Sequence, residues 1–396
     1  MPTPDFRTIR QWFLKLGLFE LKQPKEPRSD WIFILDTTFG HSHKKCFLIL
    51  GIPYQQWLQK RNSGMTEIEY HDLQVLSLNV LESTKGSILA SILNDLTSIV
   101  GQPLQIISDH GADLIRGIKL HRQQHPEIIF TYDFTHQVAL WFKAKAEQDV
   151  RFTNFLAICS SIRSQINSTN LSFLMAPLAK SLARYHNVDI FIHWAANIFQ
   201  YWDKQDFSLI DANPSFGKKK FLSYFHPLLH YRPELNTYRG VLSVYSCAKQ
   251  LLAQNGLHHK SVSDWLELSQ KFADSPQIQS SIQQVTQYLT TQTQHIPQSL
   301  VLPSRSDIIE SLFGKYKQFR DSSSFSEINE MILSFCLFTS KLTAKDILAA
   351  LENVTINDLN SWIQQTFGQS FLSKRRQAFS RSEEHTSELQ SPCTIS

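Results

Sequence analysis

The early part of the chain consists of apolar runs separated by short polar segments. Trp31–Phe39 and Lys45–Pro53 are such runs, and Leu73–Leu81 alternates apolar and polar residues. Short runs rich in β-branched and aromatic residues predict β-strands. The polar segment 40–44 has the length of a hairpin connection, so we expect these three strands to form an antiparallel meander.

After the third strand the pattern changes to an alternation of helices and strands. An amphipathic helix opens at Ser83 and is followed by the strand Pro103–Ser108, the helix Ala112–His121, the strand Ile128–Tyr132 and a helix from Thr135. This alternation implies parallel pairing in the second half of the sheet. The order β-β-β-α-β-α-β-α predicts an α/β fold of the ribonuclease H-like type, with a mixed five-stranded sheet flanked by helices.

The middle of the chain has a different character, because helical spacing dominates and no series of strands follows. We predict a large all-α insertion that interrupts the core. The predicted domains are residues 1–28, an N-terminal helix and candidate remnant of a DNA-binding domain; 29–145 and 299–380, the two parts of the core; 146–298, the insertion; and 381–396.

The last of these segments, Arg381–Ser396, breaks every local pattern. It can be back-translated into codons that resemble a widely used sequencing-adapter oligonucleotide. We therefore treat it as an artefact, exclude it from fold reasoning, and expect its apolar residues to remain unburied.

Composition narrows the class of protein. Hydrophobic residues make up 42% of the chain, which suffices for a sizeable core, but no long uninterrupted apolar run and no signal-peptide pattern is present. We therefore expect a soluble, cytoplasmic protein with no membrane span. The five scattered cysteines form no CxxC pair, so neither a disulfide framework nor a cysteine zinc site is indicated. The formal net charge of +4 permits nucleic-acid binding.

Three acidic residues stand at positions suited to binding metal. Asp36 follows the apolar run Trp31–Leu35, Asp109 follows the strand that ends at Ser108, and Glu310 lies within a predicted helix. A carboxylate at the end of a buried strand emerges at the edge of the sheet, where it can hold a cation. Phosphodiester chemistry with two Mg²⁺ ions needs about three such carboxylates. Asp307, one turn before Glu310, competes with it on periodicity alone.

The motifs around these residues resemble those of a known family. Leu35-Asp36-Thr-Thr38, Ile107-Ser108-Asp109-His-Gly111 and Ile309-Glu310-Ser-Leu-Phe-Gly314-Lys315 are similar to the signatures of DDE transposases of the bacterial insertion-sequence type. The resemblance covers about residues 5–380. It implies that Asp36, Asp109 and Glu310 are both the catalytic residues and the ligands of Mg²⁺, with Mn²⁺ able to substitute.

The resemblance also implies an activity and partners. A DDE transposase cleaves transposon ends and joins them to target DNA, acts as a homodimer or higher oligomer in a synaptic complex, and in bacteria works in the cytoplasm on nucleoid DNA. Two alternatives stay open on the residues alone. One is a nuclease of the same fold without strand transfer, and the other is an inactive, domesticated DNA-binding protein.

Further residues are candidates for supporting roles. The segment Asp133-Phe-Thr-His136 resembles the [Cys/Asp]-x-x-His motif of hAT-like and Mutator-like transposases. His136 fits either a buried helix-start residue or a group beside the metal ligands. Trp194 fits either the stacking of an unpaired DNA base or, better, core packing.

Basic residues accompany Glu310. Lys315, Lys317 and Arg320 follow it on the same predicted helix, and Lys317 is seven residues on and hence near the same face. They fit either a phosphate-binding surface or a solvated helix face. Arg305 lies one residue too early for the tyrosine-arginine-glutamate-lysine pattern of one large transposase group, so the hairpin-forming chemistry of that group is not carried over.

Overall fold

A computed structural model describes residues 3–39, 44–178, 188–272, 275–320, 328–369 and 373–379. The segment 381–396 lies outside these residues, so its expected lack of burial stays a prediction. The chain divides into two compact units: Met1–Phe130 with Ser306–Ser396, and Thr131–Arg305.

A single mixed sheet is the framework of the fold. Its strands are β1 Trp31–Phe39, β2 Lys45–Pro53, β3 Gln74–Leu81, β4 Gln105–Ser108 and β5 Ile129–Tyr132. Their order in space is β3-β2-β1-β4-β5. β1 pairs antiparallel with β2, β2 pairs antiparallel with β3, and β1 pairs parallel with β4. The meander and the parallel crossover confirm the predicted ribonuclease H-like fold.

Helices make up most of the remaining described chain. They are α1 Phe6–Lys22, α2 Tyr54–Asn62, α3 Gly86–Val100, α4 Ala112–Gln124, α5 Phe134–Gln148, α6 Val150–Ile166, α7 Val188–Lys204, α8 Pro214–Leu229, α9 Arg232–Asn255, α10 Ser261–Ser269, α11 Pro276–Thr293, α12 Asp307–Arg320, α13 Ser334–Thr339, α14 Ala344–Asn353 and α15 Ile356–Phe367. Within the described ranges, no helix combines the length and hydropathy that crossing a bilayer requires.

One face of the sheet packs against α3 and α4. Because side chains alternate along a strand, Trp31, Phe33 and Leu35 of β1 share this face. All three are fully buried in one apolar cluster with residues of both helices. The helical partners are Leu89, Leu93, Leu96 and Val100 of α3 and Leu114 and Ile118 of α4.

The opposite face carries the alternate residues and packs against other helices. α12 contacts β1, and α13 contacts β3. Cys46 of β2 is paired with Thr38 of β1, so both lie on this face. Burial, followed by the nearby Cys336 of α13 and by Asp36, raises the pKa of the Cys46 thiol above its usual range. The thiol therefore stays protonated, and α13 covers this side of the sheet.

The N-terminal helix α1 belongs to the first unit. Leu14 and Leu18 are buried with Leu333, Val354 and Leu359 in a second apolar cluster. This packing makes α1 a structural part of the unit.

Apart from the end of β5, the second unit is mainly helical in its described part. α8 begins with Pro214 at a position where proline is favoured and continues through Pro227. α11 is rich in glutamine, threonine and serine. It buries Ile282, Val285 and Leu289 and is therefore a packed core helix.

Two glycines allow α3 and α4 to approach closely. A Cβ atom added at Gly117 would lie 2.8 Å from the Cβ of Leu89, and one added at Gly86 would lie 2.7 Å from the Cβ of Arg116. At distances this short, a side chain at either position would force the neighbouring residues to shift. The contact fixes how the two helices cross over the first face of the sheet.

The same substitution at two helical glycines should have opposite effects. Gly117→Ala should destabilise the protein by about 1–3 kcal/mol, because the added methyl overlaps Leu89. Gly314→Ala in α12 should stabilise it by about 0.5–1 kcal/mol, since no atom lies within 4 Å of the added Cβ and alanine favours the helix. Urea unfolding of both variants measures the difference. Equal stability of the two would contradict the close contact.

A buried histidine also joins α3 to α4. The His121 Nδ1 lies 2.5 Å from Asn94 Oδ1, its Nε2 lies 3.4 Å from Thr97 Oγ1, and the ring of His125 is 4.7 Å away. Burial, followed by the charge of His125, lowers the pKa of His121 from 6.5 to about 4. The folded protein therefore holds this imidazole neutral.

This pKa shift predicts a loss of stability in acid. Between pH 6.5 and about pH 4 the unfolded chain binds a proton at His121 that the folded chain does not. The contribution of neutral His121 to the free energy of unfolding is thus fully present above pH 6.5 and is lost as the pH falls through this window. The loss amounts to on the order of 3 kcal/mol. Free energies of unfolding measured from pH 7.5 to pH 4 should fall more steeply for wild type than for His121→Gln. Parallel curves would show that His121 does not have this role.

Candidate metal centre

The register of the parallel strands brings two carboxylates together. Leu35 of β1 is paired with Ser108, the last residue of β4, and Asp36 and Asp109 are the next residues along the chain. Neighbouring strands are about 4.8 Å apart. Asp36 lies on the face opposite Leu35, and continuing the alternation of β4 beyond Ser108 places Asp109 on the same side. The sequence therefore sets two acidic side chains next to each other at one edge of the sheet.

Local hydrogen bonds orient both carboxylates. The backbone N–H of Thr37 donates to Asp36 Oδ1 at 2.5 Å, and that of Gly111 donates to Asp109 Oδ1 at 2.8 Å. A Cβ on Gly111 would lie 3.0 Å from the same Asp109 oxygen, so glycine leaves room for the carboxylate to fold back. Both acids are half-buried. Like charges in this setting repel each other and favour a bound cation.

Glu310 lies on the helix that packs against β1. The buried face of α12 is formed by Ile309, Leu312, Phe313 and Tyr316, whereas Glu310 is exposed. At 100° per residue, Glu310 and Lys317 fall on one flank of this face. The other flank faces a different partner: the Ser311 hydroxyl lies 2.5 Å from that of Tyr70, and Lys315 Nζ lies 4.0 Å above the Tyr70 ring. Glu310 is thus on the side of α12 that is turned away from Tyr70.

In the described ranges, no three side chains of the His, Cys, Asp or Glu types lie close enough together to form a metal cluster. The geometry brings Asp36 and Asp109 together, and the approach of Glu310 to them stays a prediction. The donors nevertheless fit a hard divalent cation, because they are carboxylate oxygens. Thr38, two residues beyond Asp36 on the same face, adds a buried hydroxyl oxygen with no hydrogen-bond partner in the described structure.

Asp133, His136 and Trp194 lie in the second unit. Asp133 is buried and caps α5, where Oδ1 accepts the backbone N–H of His136 at 2.5 Å. Trp194 is half-buried and donates its indole N–H to the carbonyl oxygen of Leu174 at 3.0 Å. Each of these interactions is a packing or capping interaction of the second unit itself.

The predicted basic residues are divided between the units. Arg305 is the last residue of the second unit, whereas Lys315 and Lys317 are part of α12 in the first. Lys315 is held by cation–π contacts with Tyr70 and Phe338. The side chain of Arg320 lies outside the described part of the structure.

A hydrogen-bonded polar group on the other face of the sheet was not foreseen from the sequence. Lys45 Nζ donates to Thr84 Oγ1 at 3.0 Å, and Thr84 Oγ1 donates to Asp113 Oδ2 at 2.9 Å. Lys45 is the first residue of β2 and is paired with Phe39 of β1, so it lies on the face that packs against α3 and α4, opposite the face that carries Asp36. Asp113 is in the first turn of α4. In the sequence, the one indication of this group was Asp113, an acidic residue four positions after Asp109.

The chain was compared with protein-family models, curated proteins and solved structures. No family model and no curated protein matches the chain. Among solved structures, a chain of the Drosophila P element transposase strand transfer complex is similar, with 13% sequence identity, 87% of each chain covered and a TM-score of 0.36. The fold is assigned from the order and direction of the strands.

A divalent cation should stabilise the protein through the paired aspartates. With Mn²⁺ at one hundred times its Kd, we expect about 2.7 kcal/mol of added stability, or about 2–4 °C in Tm. Asp36→Asn and Asp109→Asn should abolish the increase, because each removes half of the negative charge. Glu352→Gln, which changes an exposed acid on α14, is the control and should respond like wild type. Differential scanning calorimetry with and without Mn²⁺ measures the effect, and a full response in Asp36→Asn would place the cation elsewhere.

Proposed function

We propose that this chain is a DDE transposase that cleaves the phosphodiester backbone at transposon ends and transfers the freed strand to target DNA. The observation that carries the proposal is the register of β1 and β4, which sets Asp36 and Asp109 side by side in a ribonuclease H-like sheet. The sequence motifs around Asp36, Asp109 and Glu310 support it. We further propose a bacterial insertion-sequence origin and assembly as a homodimer or higher oligomer on DNA.

In this proposal Asp36, Asp109 and Glu310 hold Mg²⁺, or Mn²⁺ in its place. The ions supply Lewis-acid stabilisation of the phosphate and lower the pKa of the attacking hydroxyl. The half-buried position of the two aspartates strengthens their attraction for a cation, since screening by water is reduced. The exposed Glu310 completes the set after a movement of its flexible side chain.

Basic side chains around this edge bind the DNA backbone. Lys45 is fixed by Thr84, which is itself fixed by Asp113, so its ammonium group is held with little freedom. Lys317 shares the flank of α12 that carries Glu310. Contacts of this kind fix the register of DNA and supply affinity without reading its sequence. They therefore contribute to binding separately from the metal-dependent chemistry.

The proposal predicts that cleavage and DNA affinity can be separated. Asp36→Asn, Asp109→Asn and Glu310→Gln should each lower the rate of Mg²⁺-dependent cleavage by about 10²–10³-fold or more, because charge that stabilises the transition state is lost. DNA affinity should change little. The matched control is Asp307→Asn, which alters an acid one turn earlier on the same helix and should cleave at the wild-type rate.

The measurement uses labelled duplexes that span the DNA flanking the source gene, incubated with Mg²⁺ or Mn²⁺ and with unlabelled target DNA. Nicked and joined products together support a transposase. Nicks without joined products indicate a nuclease, and binding without either product indicates an inactive DNA-binding protein. Substantial strand transfer by Asp109→Asn would overturn the assignment of that residue.

A further inference from the structure

Thr38 is buried next to the carboxylates without a partner for its hydroxyl. Its side chain is 3% exposed, and Oγ1 makes no hydrogen bond in the described structure. Burying a hydroxyl without a partner lowers stability, because the group loses its hydrogen bonds to water. A buried hydroxyl of this kind is commonly the hydrogen-bond partner of a bound water or ion.

The position of Thr38 distinguishes it from other buried hydroxyls. Ser334, at the start of α13, also has a fully buried and unpaired oxygen, but it is not a neighbour of either acid along a strand. Thr38 is two residues beyond Asp36 on β1, so the two side chains are neighbours on one face, about 6.6 Å apart along the strand. A hydroxyl there is within reach of the surroundings of any ion that Asp36 holds.

Among the described residues, the cross-strand surroundings of Thr38 offer a poor partner for its hydroxyl. Its cross-strand neighbour on the same face is Cys46, whose thiol is a weak donor and acceptor. The β-branched side chain of threonine also has few rotamers, so Oγ1 cannot swing away to a distant acceptor. A small polar ligand brought to Asp36 would supply a hydrogen bond to this hydroxyl.

We propose that Thr38 is a positioning residue whose hydroxyl hydrogen-bonds a water molecule carried by the divalent cation at Asp36. This inference rests on the proposed function. Mg²⁺ retains several of its waters in protein sites, so a neighbouring hydroxyl meets a water rather than the ion. Groups that hold the outer ligands of a metal in this way strengthen its binding by about 10–100-fold.

The test compares Thr38→Val with Thr38→Ser and Ser334→Ala. Valine keeps the shape of threonine and removes the hydroxyl, whereas serine keeps the hydroxyl. We expect Thr38→Val to raise the Tm of the metal-free protein, to weaken Mn²⁺ binding by about 10-fold, and to slow cleavage at subsaturating Mn²⁺. Thr38→Ser should restore Mn²⁺ affinity. Ser334→Ala should also raise the Tm but leave Mn²⁺ affinity and cleavage unchanged.

Mn²⁺ affinity is read from the electron paramagnetic resonance signal of the free ion, which does not depend on cleavage. If Thr38→Val bound Mn²⁺ as tightly as wild type, or if Thr38→Ser failed to restore binding, the role proposed for the Thr38 hydroxyl would be rejected. Thr38→Ala provides the same comparison if the valine variant does not fold. Mn²⁺ binding by a wild-type protein that never cuts DNA would instead overturn the proposed function.

Discussion

The parallel pairing of β1 with β4 is the constraint on which the candidate site depends. Both strands are buried up to Leu35 and Ser108, and both change to an acid at the next residue. The backbones at these two acids are thereby held at about the spacing of neighbouring strands. The backbone N–H groups of Thr37 and Gly111 then orient the two carboxylates.

The rest of the first unit keeps this pairing in place. β1 is apolar on both faces, so each face needs its own covering layer. The close contact of Gly86 and Gly117 lets α3 and α4 cover one face, while α12 and α13 cover the other. Slippage by one residue in β1 would move Asp36 into the apolar cluster of Leu35 and is therefore strongly disfavoured.

The sequence predicted the sheet well, because its signals are local. The bounds of β1 and β2 coincide with the apolar runs, and β4 and β5 begin only slightly later than expected. The adjacency of Asp36 and Asp109 follows from the predicted strand order. The position of Glu310 did not follow, since the rotation of α12 about its axis is set by tertiary contacts such as those of Tyr70 with Ser311 and Lys315.

Prediction failed mainly where polar residues are buried by packing. α11 is rich in glutamine, serine and threonine, and only its tertiary contacts identify it as a core helix. The chain of Lys45, Thr84 and Asp113 joins three elements that are distant in sequence, so no local pattern could indicate it. The unpaired hydroxyl of Thr38 could not be predicted for the same reason, because whether a polar group finds a hydrogen-bond partner depends on the residues that the fold places around it.

The long separation of Asp109 and Glu310 in sequence is compatible with a shared site for a physical reason. The second unit begins and ends at neighbouring points, since the backbone N–H of Phe134 donates to the carbonyl oxygen of Ser304 at 2.9 Å. Tyr132 is held in the same way, by Gln292 and by the hydroxyl of Tyr288. A unit whose ends meet can interrupt a chain at small entropic cost, because the cost of closing a loop grows only with the logarithm of its length. The interruption between β5 and α12 therefore adds a folded unit while leaving the first unit free to bring its two halves together.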